Sequence, residues 1–182
     1  MIGICVGHSR KGDEGAYTTG SYVVSEWDFN RDIARRIGQL LDVDFKIYSD
    51  YELNTYSAAI RNVARKMRCD GVKAAVELHF NAASPAANGH EWLYWHSSKG
   101  GKRLAETMRL EMEDTYPNMV SRGSKPRVSR QRGSAFLRET YCYAIIAEPF
   151  FGTNSSEWEM INRNRGKLAG VYARALTQFV NA

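Results

Sequence analysis

Four side chains in this sequence are of the types that activate water for hydrolysis. His8 comes just after the apolar run Ile2–Val6, His79 lies near the end of the run 74–80, and Glu148 closes the run 144–148. In open α/β sheets, ligands gather outside the carboxyl ends of the strands, so polar residues directly after such runs are inspected first. Glu26 stands in the first turn of an expected helix and could fold back to the same edge. Two histidines, one carboxylate and an open position make a catalytic zinc set, with a second carboxylate free to act as base. Spacing alone keeps a plainer reading open, because the sequence has no HExxH and the four residues are spread from position 8 to position 148. A glutamate in a first helical turn often only complements the macrodipole, and a histidine ending a strand is often just hydrogen-bonded. Glu148 is the hardest to dismiss. It follows Ala144, Ile145, Ile146 and Ala147, and a buried carboxylate without a partner is costly.

These residues need elements to carry them. Ile2–Val6 reads as a buried strand ending at Gly7, and 7–21 as a long loop of Gly, Ser, Thr and charge, a type that is often functional. Ser25 followed by Asp28 is a capping signature, after which Ile33, Ala34, Ile37, Leu40 and Leu41 recur at helical spacing. A weak strand is expected over 44–48. Tyr56, Ile60, Val63, Ala64 and Met67 mark a second helix that stops near Gly71. Strands over 73–80 and 90–96 follow, then a helix through Leu104, Ala105, Met108 and Met112 that ends before Pro117. Residues 117–133 carry Arg122, Lys125, Arg127, Arg130 and Arg132 with little apolar content and read as an exposed basic excursion. Strands are expected over 134–138 and 143–149, and a closing helix through Leu168, Val171, Tyr172, Ala175, Leu176 and Phe179. Strands and helices alternate, giving a single α/β domain over 1–182 with a twisted, mostly parallel or mixed sheet flanked by helices.

Composition narrows the classes. The chain has 182 residues, 43% of them hydrophobic and 25% charged, which excludes disorder and fibrous repeats. The formal charge of +5 suggests an anionic partner without choosing among nucleic acid, anionic lipid and acidic glycan. No apolar run approaches the ~18 residues of a membrane span, and the start MIGICVGHS lacks a basic leader, so neither membrane insertion nor a signal peptide is expected. Cys5, Cys69 and Cys142 are too few and too widely spaced for a disulfide framework.

The segments GHSRKGDEGA, SEWDFNRDIARRIGQLL, ELHFNA, GHEWLYW, SRGSK, FLRE and IIAEPFFGTN resemble, in order and spacing, the zinc-dependent N-acetylmuramoyl-L-alanine amidases of the Amidase_3 type. The likeness runs from Gly7 nearly to the C-terminus. It implies that His8, Glu26 and His79 bind Zn²⁺ and that Glu148 is the catalytic carboxylate. It also implies peptidoglycan as substrate, cut at the amide between N-acetylmuramic acid and the L-alanine of the stem peptide. The size, with no room for a separate wall-binding domain, resembles a phage or prophage endolysin: a monomer made in the host cytoplasm that acts on peptidoglycan in the periplasm or cell wall, with no nucleic-acid partner. Two features depart from the pattern. Glu77 replaces a small residue and shares a strand face with His79, where it could support a ligand, and Ser9 and Glu14 alter the first loop.

Arg138 and Asn81 are candidates to stabilise an oxyanion, and Trp92, Tyr94, Trp95 and the basic residues 122–132 are candidates to contact substrate. His90 and His96 share a face but have no third metal partner. Two rivals remain: a zinc peptidase cutting within the stem peptide, and a non-catalytic basic module that binds cell wall or nucleic acid.

Overall fold

The computed structural model describes residues 1–10, 12–49 and 55–182. The elements, in chain order, are β1 (Ile2–Val6), α1 (Glu26–Leu40), β2 (Phe45–Tyr48), α2 (Tyr56–Cys69), β3 (Ala74–Leu78) and β4 (His90–Trp95), followed by α3 (Lys99–Thr115), β5 (Ser121–Arg127), α4 (Ser134–Glu139), β6 (Tyr143–Glu148), α5 (Ser155–Arg163) and α6 (Arg165–Asn181). The strands form one mixed sheet in the order β2-β1-β3-β6-β4-β5. β2, β1, β3 and β6 run parallel, β4 is antiparallel to β6, and β5 is parallel to β4. This is the mixed α/β architecture that the alternating pattern leads one to expect.

Side-chain alternation splits the core into two layers. Ile2, Ile4, Val76, Leu78, Trp92 and Ile145 face a layer that includes Phe29, Ile33 and Ile37 of α1, Met108 of α3, and Leu168, Tyr172 and Leu176 of α6. Cys5, Ala75, Leu93 and Ile146 face the other way, against Ile60, Val63 and Met67 of α2 and Phe136 and Leu137 of α4. Each fully buried aliphatic or aromatic side chain contributes about 1.5–3 kcal/mol relative to exposure. Three of the four candidate residues, His8, His79 and Glu148, leave or end the adjacent parallel strands β1, β3 and β6. Neighbouring strands lie about 4.8 Å apart, so the sheet order alone brings these residues close together.

Three expectations need correction. Residues 134–138 are helical, not a strand. Phe136 and Leu137 are consecutive and both buried, which strict alternation does not allow, and Gly133 in the left-handed region (φ 78°) starts the helix. Residues 117–133 are not simply an exposed excursion, because 121–127 pair with β4 as β5. The segment SRGSKPR has no β-branched residue, and its Pro126 is tolerated because the strand lies at the sheet edge. Helix α5 was not anticipated. Its signal is Asn154 three residues before Glu157: the Asn154 side chain accepts from Glu157 N, a standard N-cap. Glu157 is itself buried and accepts from Gly89 N at 2.6 Å and Phe151 N at 2.8 Å, which ties two loops together.

Among the described residues no helix is long and apolar enough to cross a membrane. Among the described residues the three cysteines form no disulfide, with Cys5 buried and Cys69 exposed.

Candidate metal centre

The loop after β1 folds back onto the start of α1. Glu26 N donates to Ala16 O at 2.8 Å and Trp27 N to Glu14 O at 3.1 Å, while Ser25 caps the helix through Asp28 N. This places the buried Glu26 side chain against four nitrogen atoms. Oε2 accepts from Ala16 N at 3.0 Å, and Oε1 accepts from Phe80 N at 3.1 Å and lies 2.8 Å from His79 Nδ1. Its Oε2 is also 3.3 Å from His8 Nε2. A glutamate that merely served the macrodipole would not be enclosed in this way.

The two imidazoles arrive from neighbouring strands. Gly7 N donates to Leu78 O and His79 N to Ala147 O, extending the β1–β3–β6 ladder as far as the site. His8 then adopts a left-handed φ of 66°, a conformation that costs about 1–2 kcal/mol for a residue with a Cβ. The rings meet edge to face with centroids 4.9 Å apart. Glycine is required on both sides of them. A Cβ at Gly7 would lie 2.4 Å from His79 Nε2, and one at Gly15, whose φ is +76°, would lie 2.7 Å from Glu26 Oε2 and from His8 Cδ2.

Each imidazole has a carboxylate at its other nitrogen. His8 Nδ1 is 2.9 Å from Asp13 Oδ1, and His79 Nε2 is 3.4 Å from Glu77 Oε2. Burial alone would raise the Glu26 pKa, but hydrogen bonds from His79 and His8 outweigh it and hold the carboxyl far below its ordinary range. Burial likewise lowers the pKa of both histidines, and Glu26 reverses it; for His79, Glu77 adds to the effect, so both imidazoles are raised above their usual value. A field that draws protons onto these nitrogens also favours a cation between them. One ligand atom from each of His8, Glu26 and His79 falls within 4.8 Å of the other two. The donor set of two imidazoles and one carboxylate suits a catalytic zinc ion with an open position.

Glu148 lies in the same cavity, which has a volume of about 530 Å³. Its Oε2 is buried with no hydrogen-bond partner among the described residues. Burial pushes the carboxyl up to about 7, with the nearby Glu26 and Glu91 charges adding to the rise and His79 and Arg132 opposing it. All four residues singled out from the sequence therefore line one cavity.

An aromatic cluster backs three of the elements that carry them. Phe29 is one turn after Glu26, Phe80 directly follows His79, and Phe150 is two residues past Glu148. Their rings, with Trp158 of α5, pack at centroid separations of 5.3–5.9 Å around Phe29.

Other expectations are met unevenly. Asn81 lines the cavity, whereas Arg138 pairs with Glu139 at 2.7 Å and does not line it. Trp92 and Tyr94 are buried core residues rather than a substrate platform. His90 is fully buried, and its Nδ1 accepts from Trp92 Nε1 at 3.0 Å. The basic segment divides: Arg122 and Lys125 hold the buried Glu91 at 2.8 and 2.6 Å, while Arg127, Arg130 and Arg132 line the cavity. Glu91 was missed, although a lone carboxylate inside an aromatic strand signals that countercharges must come from elsewhere. It sits opposite Glu148 in the β4–β6 register.

A family profile described as Amidase_3, N-acetylmuramoyl-L-alanine amidase, matches residues 2–178. No curated protein sequence gives a significant match. Among solved structures, an N-acetylmuramoyl-L-alanine amidase from Clostridium difficile 630 superposes with a TM-score of 0.82 at 24% identity, covering 100% of this chain and 96% of the other. AmiC2 of Nostoc punctiforme, an amidase of the same name, gives 0.82 at 20% identity over 100% and 98%. The catalytic domain of the CD27L endolysin, which targets Clostridium difficile, gives 0.78 at 21% identity over 97% and 96%. At these identities the structures establish the shared fold.

Proposed function

The chain belongs to the Amidase_3 family of N-acetylmuramoyl-L-alanine amidases, and from that premise we propose a zinc-dependent peptidoglycan hydrolase that cuts the amide joining N-acetylmuramic acid to the L-alanine of the stem peptide. The observation that carries this reading is the convergence of His8, Glu26 and His79 to within 4.8 Å, in a cavity shared with an unpartnered carboxylate oxygen of Glu148.

In this reading the two histidines bind as neutral imidazoles and Glu26 as an anion. Asp13 and Glu77 accept from the outer ring nitrogens and so fix tautomer and ring orientation. A zinc ion held there supplies Lewis acidity, polarising the scissile carbonyl and acidifying the attacking water. Glu148 takes a proton from that water as its oxygen adds to the carbonyl carbon. It returns the proton to the amide nitrogen as the C–N bond breaks. The products are the lactyl carboxylate of the sugar and the free amine of L-alanine. Burial raises the Glu148 carboxyl to about 7 in the metal-free cavity, and a cation beside it would draw that value back down, leaving a carboxylate able to act as base near neutral pH.

The test pairs metal analysis with digestion of purified peptidoglycan, before and after chelation and after zinc is restored. Mass spectrometry should find intact stem peptides beginning at L-alanine, only when zinc is present. Fragments lacking that N-terminus would identify a peptidase acting within the stem. Binding that survives chelation with no new amines would identify a non-catalytic wall-binding module.

A further inference from the structure

Three arginines, Arg127, Arg130 and Arg132, line the cavity with four carboxylates, and three of those, Asp13, Glu26 and Glu91, have other partners; the fourth, Glu148, makes no ion pair among the described residues. Asp13 is engaged by His8 and Glu26 by both imidazoles. Glu91 is taken by Arg122 at 2.8 Å and Lys125 at 2.6 Å, which leaves Arg127 at 3.9 Å from it. Arg130 and Arg132 line the same cavity and, among the described residues, make no ion pair. The loop carrying them is built rather than slack. Val128 N donates to Gln131 Oε1 at 2.9 Å, and Gln131 N and Ser134 N donate to Val128 O and Gln131 O. Arg130 is held in the left-handed region at φ 70°, where a long side chain is rare and strained.

Guanidinium groups that make no close ion pair beside a reaction centre suit planar anions, which they bind through two parallel hydrogen bonds. The two halves of the proposed substrate differ in this respect. The sugar half, with its acetamido and lactyl amide groups, is uncharged, whereas the stem peptide carries free carboxylates beyond L-alanine. We propose that Arg127, Arg130 and Arg132 form a wall that reads a carboxylate of the stem peptide, so that the peptide half lies against the 127–132 segment and the substrate enters in one direction. This deepens the amidase reading and rests on it. It also explains why a basic stretch with almost no apolar content is tied down at a sheet edge instead of extending into solvent.

The two candidate carboxylates are the α-carboxylate of a γ-linked D-glutamate at the second position and the extra carboxylate of a diaminopimelate at the third. Binding to zinc-loaded Glu148→Gln protein, which should not turn over, separates them. The ligands are three N-acetylmuramyl tripeptides whose C-terminal α-carboxyl is blocked as the amide: L-Ala-γ-D-Glu-L-Lys, the same peptide with D-isoglutamine at the second position, and the first with diaminopimelate in place of lysine. Neutralising the carboxylate that is read should weaken binding about tenfold, as expected for a charge-assisted hydrogen bond. Adding Arg130→Ala and Arg132→Ala, or the gentler Arg130→Gln and Arg132→Gln, should bring that ratio near one. Arg174→Ala, which removes a charge paired with Glu111 outside the cavity, should preserve it. Equal affinities for all three ligands, or a ratio that survives the double substitution, would overturn the wall. The amidase reading is judged separately, by whether the wild-type protein releases peptides beginning at L-alanine. A charge-dependent affinity ratio with no such release would fault that reading and not the wall.

Discussion

Glu148→Gln separates the chemistry of the site from its stability. The substitution keeps the size and shape of the side chain and removes its charge. Burial raises the Glu148 pKa from an ordinary 4.5 to about 7, so the folded protein holds this proton more tightly than the unfolded chain does. The stabilisation that comes with the proton is complete below about pH 4.5. It is lost progressively as pH rises through about 7, beyond which the metal-free protein carries a desolvated anion. At 1.36 kcal/mol per pKa unit the cost is about 3–4 kcal/mol, or roughly 7–14 °C in melting temperature for a domain of this size. In chelator at pH 8.5 the Gln variant should therefore melt above wild type by that margin, and at pH 4.5 the two should coincide. Loaded with zinc, the variant should retain the metal and lose about 10²–10⁴ in kcat. Equal melting at both pH values would refute the desolvated environment assigned to this carboxylate. Full hydrolysis of muropeptides by the variant would remove Glu148 from the mechanism.

Three further outcomes are expected. His79→Ala should lower zinc content and activity together, read by metal analysis on the same samples used for turnover. Gly15→Ala places a methyl 2.7 Å from both Glu26 Oε2 and His8 Cδ2 at a φ of +76°, so competition against a zinc-binding dye should show at least tenfold weaker affinity; unchanged affinity would mean that the loop yields freely. Phe150→Ala opens a hole in the aromatic cluster and should cost about 3–5 kcal/mol in urea denaturation, with part of the loss recovered when zinc is added.

The candidate site was more legible in the sequence than the elements around it. His8, His79 and Glu148 follow or close runs that are apolar because their strands are buried in the sheet, and that pattern depends on no distant contact. Glu26 could be named from its place after the first loop, but only as a residue able to fold back to the same edge; the resemblance weighted that against a mere macrodipole role, since nothing in a capped helix start says that a loop will fold over it. What could not be read depends on partners remote in sequence. β5 is a strand because β4 offers it an edge and Glu91 gathers its cations, not because SRGSKPR favours extended structure. Ser134 to Glu139 is too short for either period to dominate, and its burial against α2 decides in favour of helix. Asp13 lay in the quoted loop, but its position against His8 Nδ1 depends on the left-handed backbone at His8, which no propensity foretells.

The ring stack of Phe29, Phe80, Phe150 and Trp158 has a consequence for how this protein should be handled. Because one apolar keystone braces the helix and both strand ends that bear Glu26, His79 and Glu148, ion capture and unfolding belong to a single thermodynamic cycle. A cation at a hundredfold excess over its dissociation constant would add about 2.7 kcal/mol to the folded state. Preparations stripped by a chelating buffer would then be soft as well as idle, and heat resistance would report how much of a sample is charged with metal.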